Sequence, residues 1–335
     1  MTNSDVYEKL ADMMCTEDFR SGPGIKTPEF IEILQLQYTP EEARLAVQVG
    51  SSGGRLQELA ERTGIEKGSL KKMLRTMAEK GTIWIDPGSE DPNYRAMLVE
   101  GPGIAETAAW GDKYPWMDEL KKRWNKYKYV WVREGIAPAG PVVPVWAAAA
   151  ALPPDAQPSE NINEVIKQLG YWSVSNCPCR SFQRVDESEE HCDHLLETCM
   201  NLGDIGRWAV EHGHARELTY EEAIDLLAKC EEDGLVHMGA LPDYGIACNC
   251  CSDACVNILG LKMGLPHAMA PGPFVAICGK DTCAACMTCV DRCPVDAVQV
   301  DEYAVVDEQK CIGCGVCVVG CEPEAMRLER RAEAV

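Results

Sequence analysis

The stretch CAACMTCVDRCPVDAVQV, which begins at Cys283, is followed 28 residues later by CIGCGVCVVGCEPEAMRL, which begins at Cys311. Both stretches space four cysteines as C-x2-C-x2-C-x3-C, and the two sets align in register. Three closely spaced thiols in one short loop can cap one side of a metal centre, and a fourth thiol must come from elsewhere. The repeat therefore predicts a duplicated metal-binding unit.

The doubled register resembles that of the bacterial ferredoxins that carry two [4Fe–4S] clusters. In that family the fourth cysteine of each run binds the cluster of the other run. The resemblance implies one cluster held by Cys283, Cys286, Cys289 and Cys321, and a second held by Cys311, Cys314, Cys317 and Cys293. Pro294 follows the first run directly, whereas Pro323 is displaced by one residue in the second. Two zinc sites are the alternative, but zinc leaves the doubled register unexplained.

Composition limits the possible partners. The chain has 335 residues, a formal net charge of −21 and an apolar fraction of 46%. This charge disfavours general binding to nucleic acid or anionic membranes and favours proteins or small molecules as partners. The apolar run from Ile136 is interrupted by prolines, so it predicts no membrane span.

The cysteine content indicates a reducing compartment. The 19 cysteines stand mostly at spacings too short for disulfides with one another, and the N-terminus lacks the pattern of a signal peptide. We therefore expect a cytoplasmic protein whose clustered cysteines bind metal. Cys15, Cys230 and Cys278 stand apart from the clusters and are expected to be ordinary buried cysteines.

Residues 161–270 form a second cysteine-rich region. Their pattern C-x-C-R … E-T-C … C-N-C-C resembles that of cytoplasmic iron–sulfur proteins of anaerobes. Its candidate metal ligands are Cys177, Cys179, Cys192, Cys199, Cys248, Cys250, Cys251 and Cys255. We expect a mainly helical domain with a further iron–sulfur cluster; zinc and redox-active thiols are the alternatives.

Three details of this region generate further expectations. Thr219 precedes Glu222 by three residues, which predicts a capped helix start. Cys250 and Cys251 are adjacent, so we expect them to face different partners. His191 and His194 flank Cys192 and are interpreted as surface or hydrogen-bonded side chains rather than ligands.

Residues 27–100 have helical periodicity followed by a short hairpin, with Gly64 and Gly81 ending two helices. This order resembles a winged helix-turn-helix. Its third helix region is basic, through Lys67, Lys71, Lys72, Arg75 and Lys80. The acidic chain and the lack of base-reading residues favour docking of a protein over binding of DNA.

Residues 101–160 predict a linker with little regular structure. The segment KKRWNKYKYVWVR from Lys121 alternates aromatic residues with cations, and we interpret it as strand-like, with one packed face and one solvated face.

The sequence thus predicts an α+β multidomain protein with a winged-helix-like N-terminal domain, a cysteine-rich middle domain and a ferredoxin-like domain over residues 271–335. We expect an electron-transfer protein of anaerobic metabolism that relays single electrons to a partner oxidoreductase. Two alternatives remain: a redox-sensing transcription regulator, and a reductase subunit that binds substrate at the middle-domain centre.

Overall fold

The structure is a computed structural model in which residues 3–16, 24–99, 103–111, 113–134, 139–143, 157, 160–185, 187, 191–239, 245–265 and 268–332 are described. It mixes helix and sheet, in agreement with the predicted α+β class. Of the prolines that interrupt the run from Ile136, Pro138, Pro144 and Pro153 lie outside the described residues. No helix in the described ranges is long and apolar enough to cross a membrane.

The N-terminal part combines helices with a small antiparallel sheet. Its elements are α1 (Asn3–Thr16), α2 (Pro28–Gln37), α3 (Pro40–Val49), β1 (Gly54–Arg55), α4 (Leu56–Thr63), α5 (Lys67–Glu79), β2 (Ile83–Ile85) and β3 (Asn93–Ala96). Strand β3 lies between β1 and β2. Gly64 and Gly81, with φ of 70° and 76°, follow α4 and α5 as predicted, because glycine adopts the left-handed conformation without steric cost.

The described residues of the expected linker have more regular structure than the sequence analysis predicts. It contains α6 (Ile104–Ala109), α7 (Met117–Glu134) and β4 (Ala139–Val143). The segment interpreted as strand-like lies in α7, where Trp124 and Tyr127 are fully buried. Tyr127 stacks on Phe30 with ring centroids 5.2 Å apart. Helical spacing, not alternation, therefore decides which aromatic residues enter the core.

The middle region is organised around a sheet that the sequence analysis missed. Its elements are α8 (Ile162–Leu169), β5 (Trp172–Asn176), α9 (Pro178–Arg184), β6 (Glu197–Leu202), α10 (Gly203–Glu211), β7 (Arg216–Leu218), α11 (Tyr220–Glu232), β8 (Val236–Gly239), β9 (Ile246–Cys250), α12 (Val256–Lys262) and β10 (Met269–Ala270). Strand β4 and the six strands β5 to β10 form a seven-stranded sheet in the order β10-β4-β8-β9-β6-β5-β7. All pairs are antiparallel except β10 with β4. The expectation of a mainly helical domain omits this sheet, although the predicted cap of Thr219 and Glu222 on α11 is confirmed.

The C-terminal part has two antiparallel strand pairs and two single-turn helices. Its elements are β11 (Phe274–Cys278), α13 (Thr288–Asp291), β12 (Val298–Val300), β13 (Ala304–Val306), α14 (Val316–Val319) and β14 (Met326–Arg330). Strand β11 pairs with β14, and β12 pairs with β13, both antiparallel. The second helix begins 28 residues after the first, which is the offset of the cysteine repeat. The backbone therefore repeats together with the sequence.

Polar and apolar contacts attach the C-terminal part to the sheet. Phe274 of β11 and Val236 of β8 belong to one apolar cluster. The Arg330 guanidinium makes two hydrogen bonds with the Glu160 carboxylate, at 2.9 and 2.8 Å. Arg292, which precedes Cys293, donates to the carbonyl oxygen of Glu231 at 2.7 Å. The cysteine repeat is consequently packed directly against the middle region.

A stack of aromatic rings joins the small N-terminal sheet to the middle region. Trp84 of β2 stacks on Trp208 of α10 at 5.4 Å between ring centroids, and Trp208 stacks on His214 at 5.2 Å. The Nε2–H of His214 donates to the carbonyl oxygen of Ala78 at the end of α5, at 3.0 Å. Burial lowers the pKa of His214 to about 3, so its ring is neutral at physiological pH.

This buried ring predicts a pH-dependent stability. The unfolded state takes up a proton near pH 6.5, but folded His214 does so only near pH 3, so the contribution of His214 is complete above pH 6.5 and is lost as pH falls toward 3. The upper limit of this contribution is about 5 kcal/mol. We expect His214→Gln, which can still donate to Ala78, to flatten the fall of unfolding free energy between pH 7 and 4.5. Urea unfolding followed by tryptophan fluorescence measures it, and an unchanged slope would contradict the assignment.

Candidate iron–sulfur sites

The C-terminal part contains two cavities, and each is lined by one predicted set of four cysteines. The first encloses about 320 Å³ of space free of protein atoms, including the part open to solvent. Its lining includes Cys283, Cys286, Cys289 and Cys321, together with apolar residues such as Val300, Ala304 and Met326. The first three cysteines come from the loop around α13, and the fourth follows α14. The structure thus brings this predicted set together.

The second cavity has the same volume, about 320 Å³. Its lining includes Cys311, Cys314, Cys317 and Cys293, together with apolar residues such as Ala276, Val298 and Ile312. Here Cys293 follows α13 in the first run, whereas the other three cysteines belong to the second run. The crossing of the fourth cysteine between the two runs is therefore a property of the folded chain as well as of the resemblance.

The loops that carry the cysteines have the same unusual backbone in both copies. Ala285 and Met287 have φ of 52° and 69°, and the residues 28 positions later, Gly313 and Gly315, have φ of 73° and 78°. This left-handed conformation turns the chain sharply between consecutive cysteines. The backbone N–H of Ala297 donates to the sulfur of Cys293 at 3.2 Å. Donors of this kind stabilise thiolates and sulfur-rich clusters.

The two cavities differ in their electrostatic surroundings. At the first, the backbone N–H of Ala285 lowers the pKa of Cys283, and the Thr288 hydroxyl lowers the pKa of Cys286. At the second, burial raises the pKa of Cys314 to about 12 and raises that of Cys317 as well. The candidate ligands therefore differ in burial, since Cys286 at the first cavity is exposed whereas Cys314 and Cys317 at the second are buried.

Cys278 is less isolated than the sequence analysis expects. Its thiol lies beside that of Cys283 and is directed to the carbonyl oxygen of Gly279 at 3.7 Å. Burial and the neighbouring Cys283 raise its pKa. Cys278 therefore borders the first cavity without being among its lining residues.

Six of the eight middle-region cysteines form a second assembly, here called the six-thiol ring. Each thiol interacts electrostatically with the next in a closed order, which runs Cys177, Cys179, Cys255, Cys250, Cys248, Cys199 and back to Cys177. They come from the start of α9, from β6, from β9 and from the start of α12. Cys179 and Cys250 together lower the pKa of Cys255 to about 5, whereas burial is the main cause that raises the pKa of Cys199.

The remaining two cysteines, Cys192 and Cys251, form a pair beside the ring, and Cys251 also interacts electrostatically with Cys255. Their sulfur atoms are 3.9 Å apart, and both residues are buried. The Cys192 thiol, with help from Arg180, lowers the pKa of Cys251 to about 4 although burial opposes this change. Cys250 and Cys251 thus face different partners, which confirms the prediction. Cys230, expected to be isolated, packs in the same small apolar cluster as this pair.

A buried polar chain connects this pair to the C-terminal part, and the sequence analysis missed it. Arg180 is fully buried and donates to the carbonyl oxygen of Asn249 at 3.1 Å. The Asn249 side chain contacts His237 Nδ1 at 2.6 Å, and His237 Nε2 contacts a Glu231 oxygen at 3.1 Å. No spacing rule marks these residues, because they come from separate elements.

His194, two residues after Cys192, lies between two carboxylates. It is 3.2 Å from an Asp233 oxygen and 3.7 Å from an Asp253 oxygen, which agrees with its interpretation as a hydrogen-bonded side chain.

The basic helix α5 presents four exposed cations, which are Lys67, Lys71, Lys72 and Arg75. Lys80, the fifth predicted cation, instead forms a partly buried ion pair with Glu42 at 2.5 Å and lies over the Trp116 ring. The neighbouring loop between β2 and β3 carries the exposed acids Glu90 and Asp91. The cationic surface of α5 is thus bordered by negative charge.

Across the part of the chain that the structure describes, no three His, Cys, Asp or Glu side chains converge closely enough to hold one metal ion. A four-iron cluster makes a different demand, because its own width separates its thiolates. Cysteines that fit such a cluster surround a space, and the two C-terminal cavities have this arrangement.

No protein-family model, curated protein or solved structure matches the chain.

The repeated backbone predicts opposite effects on stability for opposite substitutions at two equivalent positions. A Cβ atom at Gly313 would lie 2.3 Å from the carbonyl oxygen of Phe274, and φ there is 73°. We expect Gly313→Ala to destabilise the C-terminal part by at least about 1–3 kcal/mol. The matched control Ala285→Gly should be neutral or stabilising, because glycine relieves the left-handed strain.

Hydrogen exchange of the paired strands β11 and β14 in the reduced, iron-free protein measures both effects. Equal protection in the two variants would show that the close approach of Gly313 to Phe274 does not hold this loop.

Proposed function

We propose that this chain is an iron–sulfur electron-transfer protein whose C-terminal repeat holds two [4Fe–4S] clusters. The observation that carries the proposal is the pair of cavities, each lined by three cysteines of one run and the fourth cysteine of the other. Cys283, Cys286, Cys289 and Cys321 would hold one cluster, and Cys311, Cys314, Cys317 and Cys293 the other. When bound, the clusters supply one-electron chemistry, and the protein supplies thiolates, N–H donors and exclusion of water.

The chemistry of the lining supports this assignment. All four candidate ligands at each cavity are soft thiolates, which suit iron–sulfur clusters, and the remaining lining is mostly apolar. The N–H donors at Cys283 and Cys293 lie where cluster sulfurs need stabilisation.

The six-thiol ring supports a further iron–sulfur centre in the middle region, with zinc as the alternative. Six thiols exceed the four that one tetrahedral ion takes, which favours a polynuclear centre. The ring members Cys250 and Cys255 belong to the same apolar cluster as Cys289, Cys314 and Cys317. Electrons passing between the ring and the C-terminal clusters would therefore cross protein interior and not bulk water.

The N-terminal helices and small sheet support a winged-helix assignment. The order α3-β1-α4-α5-β2-β3, with β3 between β1 and β2, is the order that this fold requires. We infer that it docks a redox partner protein rather than DNA, since acids of the β2–β3 loop border the α5 cations and the chain is strongly acidic. The many free thiols fit a reducing, cytoplasmic environment.

One observation favours a second candidate function, a redox-sensing regulator. Cys199 of the six-thiol ring interacts with Trp110, whose ring lies 6.1 Å from that of His214. His214 in turn holds the end of α5 and stacks with Trp208 against Trp84. A change at the ring thus has a continuous packed route to the winged-helix-like unit.

The crossed cluster assignment is tested by removing one fourth ligand at a time. We expect Cys293→Ala to damage the cluster held by Cys311, Cys314 and Cys317, and the matched variant Cys321→Ala to damage the other cluster. Anaerobically purified wild-type protein should carry more than the about eight irons of two [4Fe–4S] clusters. Iron analysis and electron paramagnetic resonance of the reduced variants measure this. Loss of the Cys283-side signal in Cys293→Ala would overturn the crossing, and iron-free wild-type protein would overturn the function.

The docking role of α5 is tested by charge reversal. We expect Lys71→Glu, Lys72→Glu and Arg75→Glu together to leave the iron content unchanged and to weaken salt-dependent binding of a small acidic electron-carrier protein. The control combines Lys9→Glu, Lys126→Glu and Lys167→Glu, which changes the net charge equally at exposed sites on other helices. Steeply salt-dependent binding of a defined DNA duplex by the wild-type protein would instead support the regulator.

A further inference from the structure

The buried cysteines Cys192 and Cys251 differ from the six-thiol ring in their surroundings. Their sulfur atoms are 3.9 Å apart. They share an apolar cluster with Cys230, Leu235 and Ala254, and the ring member Cys179 packs against it, whereas Cys250, Cys255 and the C-terminal cysteines belong to a larger cluster. A metal centre held by the six ring thiols alone would leave these two thiols to react with each other.

The residues beside this pair are held firmly. Arg184 donates to the carbonyl oxygens of Cys192 and His194, at 3.1 and 2.5 Å. Gln183 accepts from the backbone N–H of Cys192 at 3.4 Å and donates to the carbonyl oxygen of Asp253 at 3.2 Å. The same helix α9 thus contacts both cysteine-bearing segments and fixes their separation.

Arg180 provides a second, independent observation. Its side chain is fully buried beside Cys251, and its Nε has no hydrogen-bond partner in the part of the chain that is described. Its guanidinium donates to the Asn249 carbonyl oxygen and the Thr198 hydroxyl, both neutral, and it also interacts with the thiols of Cys177, Cys250 and Cys251. A buried cation without a carboxylate partner is costly unless a neighbour carries negative charge. A thiolate formed during exchange at this pair would meet that need.

We propose that Cys192 and Cys251 are a redox-active dithiol that closes to a reversible disulfide and is not part of any cluster. A disulfide needs the sulfur atoms about 2.05 Å apart, so a small local movement closes the bond. Two S–H bonds break, one S–S bond forms, and two protons and two electrons leave. Two oxidised [4Fe–4S] clusters can accept one electron each; this electron route rests on the proposed function, whereas the pairing itself does not.

The polar chain gives this dithiol a structural link to the C-terminal repeat. Arg180 contacts Asn249, which leads through His237 to Glu231, and Arg292 beside Cys293 donates to the backbone of Glu231. A dithiol that stores two electrons would thus be joined to the proposed one-electron carriers by a buried polar chain. The molecules that would react with this site are small thiols and disulfides.

The test uses the full-length protein, equilibrated anaerobically with glutathione buffers of increasing disulfide content. Glutathione disulfide takes both electrons and both protons and becomes two thiols. After acid quenching and alkylation, peptide mapping should recover a Cys192–Cys251 cross-linked peptide that disappears when reduced glutathione is restored. Free alkylated Cys192 and Cys251 throughout, or stable glutathione adducts in place of the link, would overturn the proposal.

Three variants separate this proposal from that of the clusters. Cys192→Ser should lose the cross-link and keep the wild-type iron content, and Cys230→Ser, in the same apolar cluster, should keep both. Cys179→Ser, in the six-thiol ring, should lose iron and keep the cross-link. Loss of iron in Cys192→Ser would show that Cys192 is a cluster ligand and would contradict the dithiol proposal. Unchanged iron content in Cys179→Ser would contradict the proposed middle-region cluster. It would not contradict the dithiol, because the cross-link in the wild-type protein is measured independently of iron content.

Discussion

The apolar contact between the C-terminal repeat and the seven-stranded sheet is the interaction on which the cysteine sites depend. The repeat has only short strands and single-turn helices, which are too small to bury a core of their own. It completes that core with Val142, Val236 and Met238 of the sheet. Cysteines of both C-terminal cavities and of the six-thiol ring therefore belong to one apolar cluster, whose packing positions thiols that are distant in sequence.

Buried polar groups inside this framework are satisfied by one another and not by surface water. Thr198 and Asn249 accept from Arg180, and His237 lies between Asn249 and Glu231. Such a network holds the ends of β6, β8 and β9 in one arrangement, since loss of any member strands a buried partner. It also fixes the segment that carries Cys248, Cys250 and Cys251. Cys248 and Cys250 therefore face the six-thiol ring, whereas Cys251 faces Cys192.

The sequence predicts those features that are encoded locally. The cysteine register, the cap of Thr219 and Glu222 and the glycine ends of α4 and α5 depend on residues a few positions apart, and the structure has the helix ends where they are predicted. The C-terminal cysteines surround two cavities, and each cavity is lined by three cysteines of one run and the fourth cysteine of the other.

The features that were missed depend on contacts between distant segments. Strands β6, β8 and β9 are short and buried on both faces, so they lack the alternation that marks a half-exposed strand. In α7, the alternating Tyr127 and Tyr129 obscure the helical spacing of Trp124 and Tyr127. The division of eight cysteines into a ring and a pair arises only when β9 lies beside the segment that carries Cys192.

The candidate ligands of the two C-terminal cavities differ in exposure. At the first cavity Cys286 is exposed and Met287 retains 45% of its accessible surface, whereas Cys314 and Cys317 at the second are buried. If the cavities hold the proposed clusters, a soluble electron carrier or dioxygen would have direct access to a ligand of the first cluster. The buried thiols of the second would offer a less direct approach.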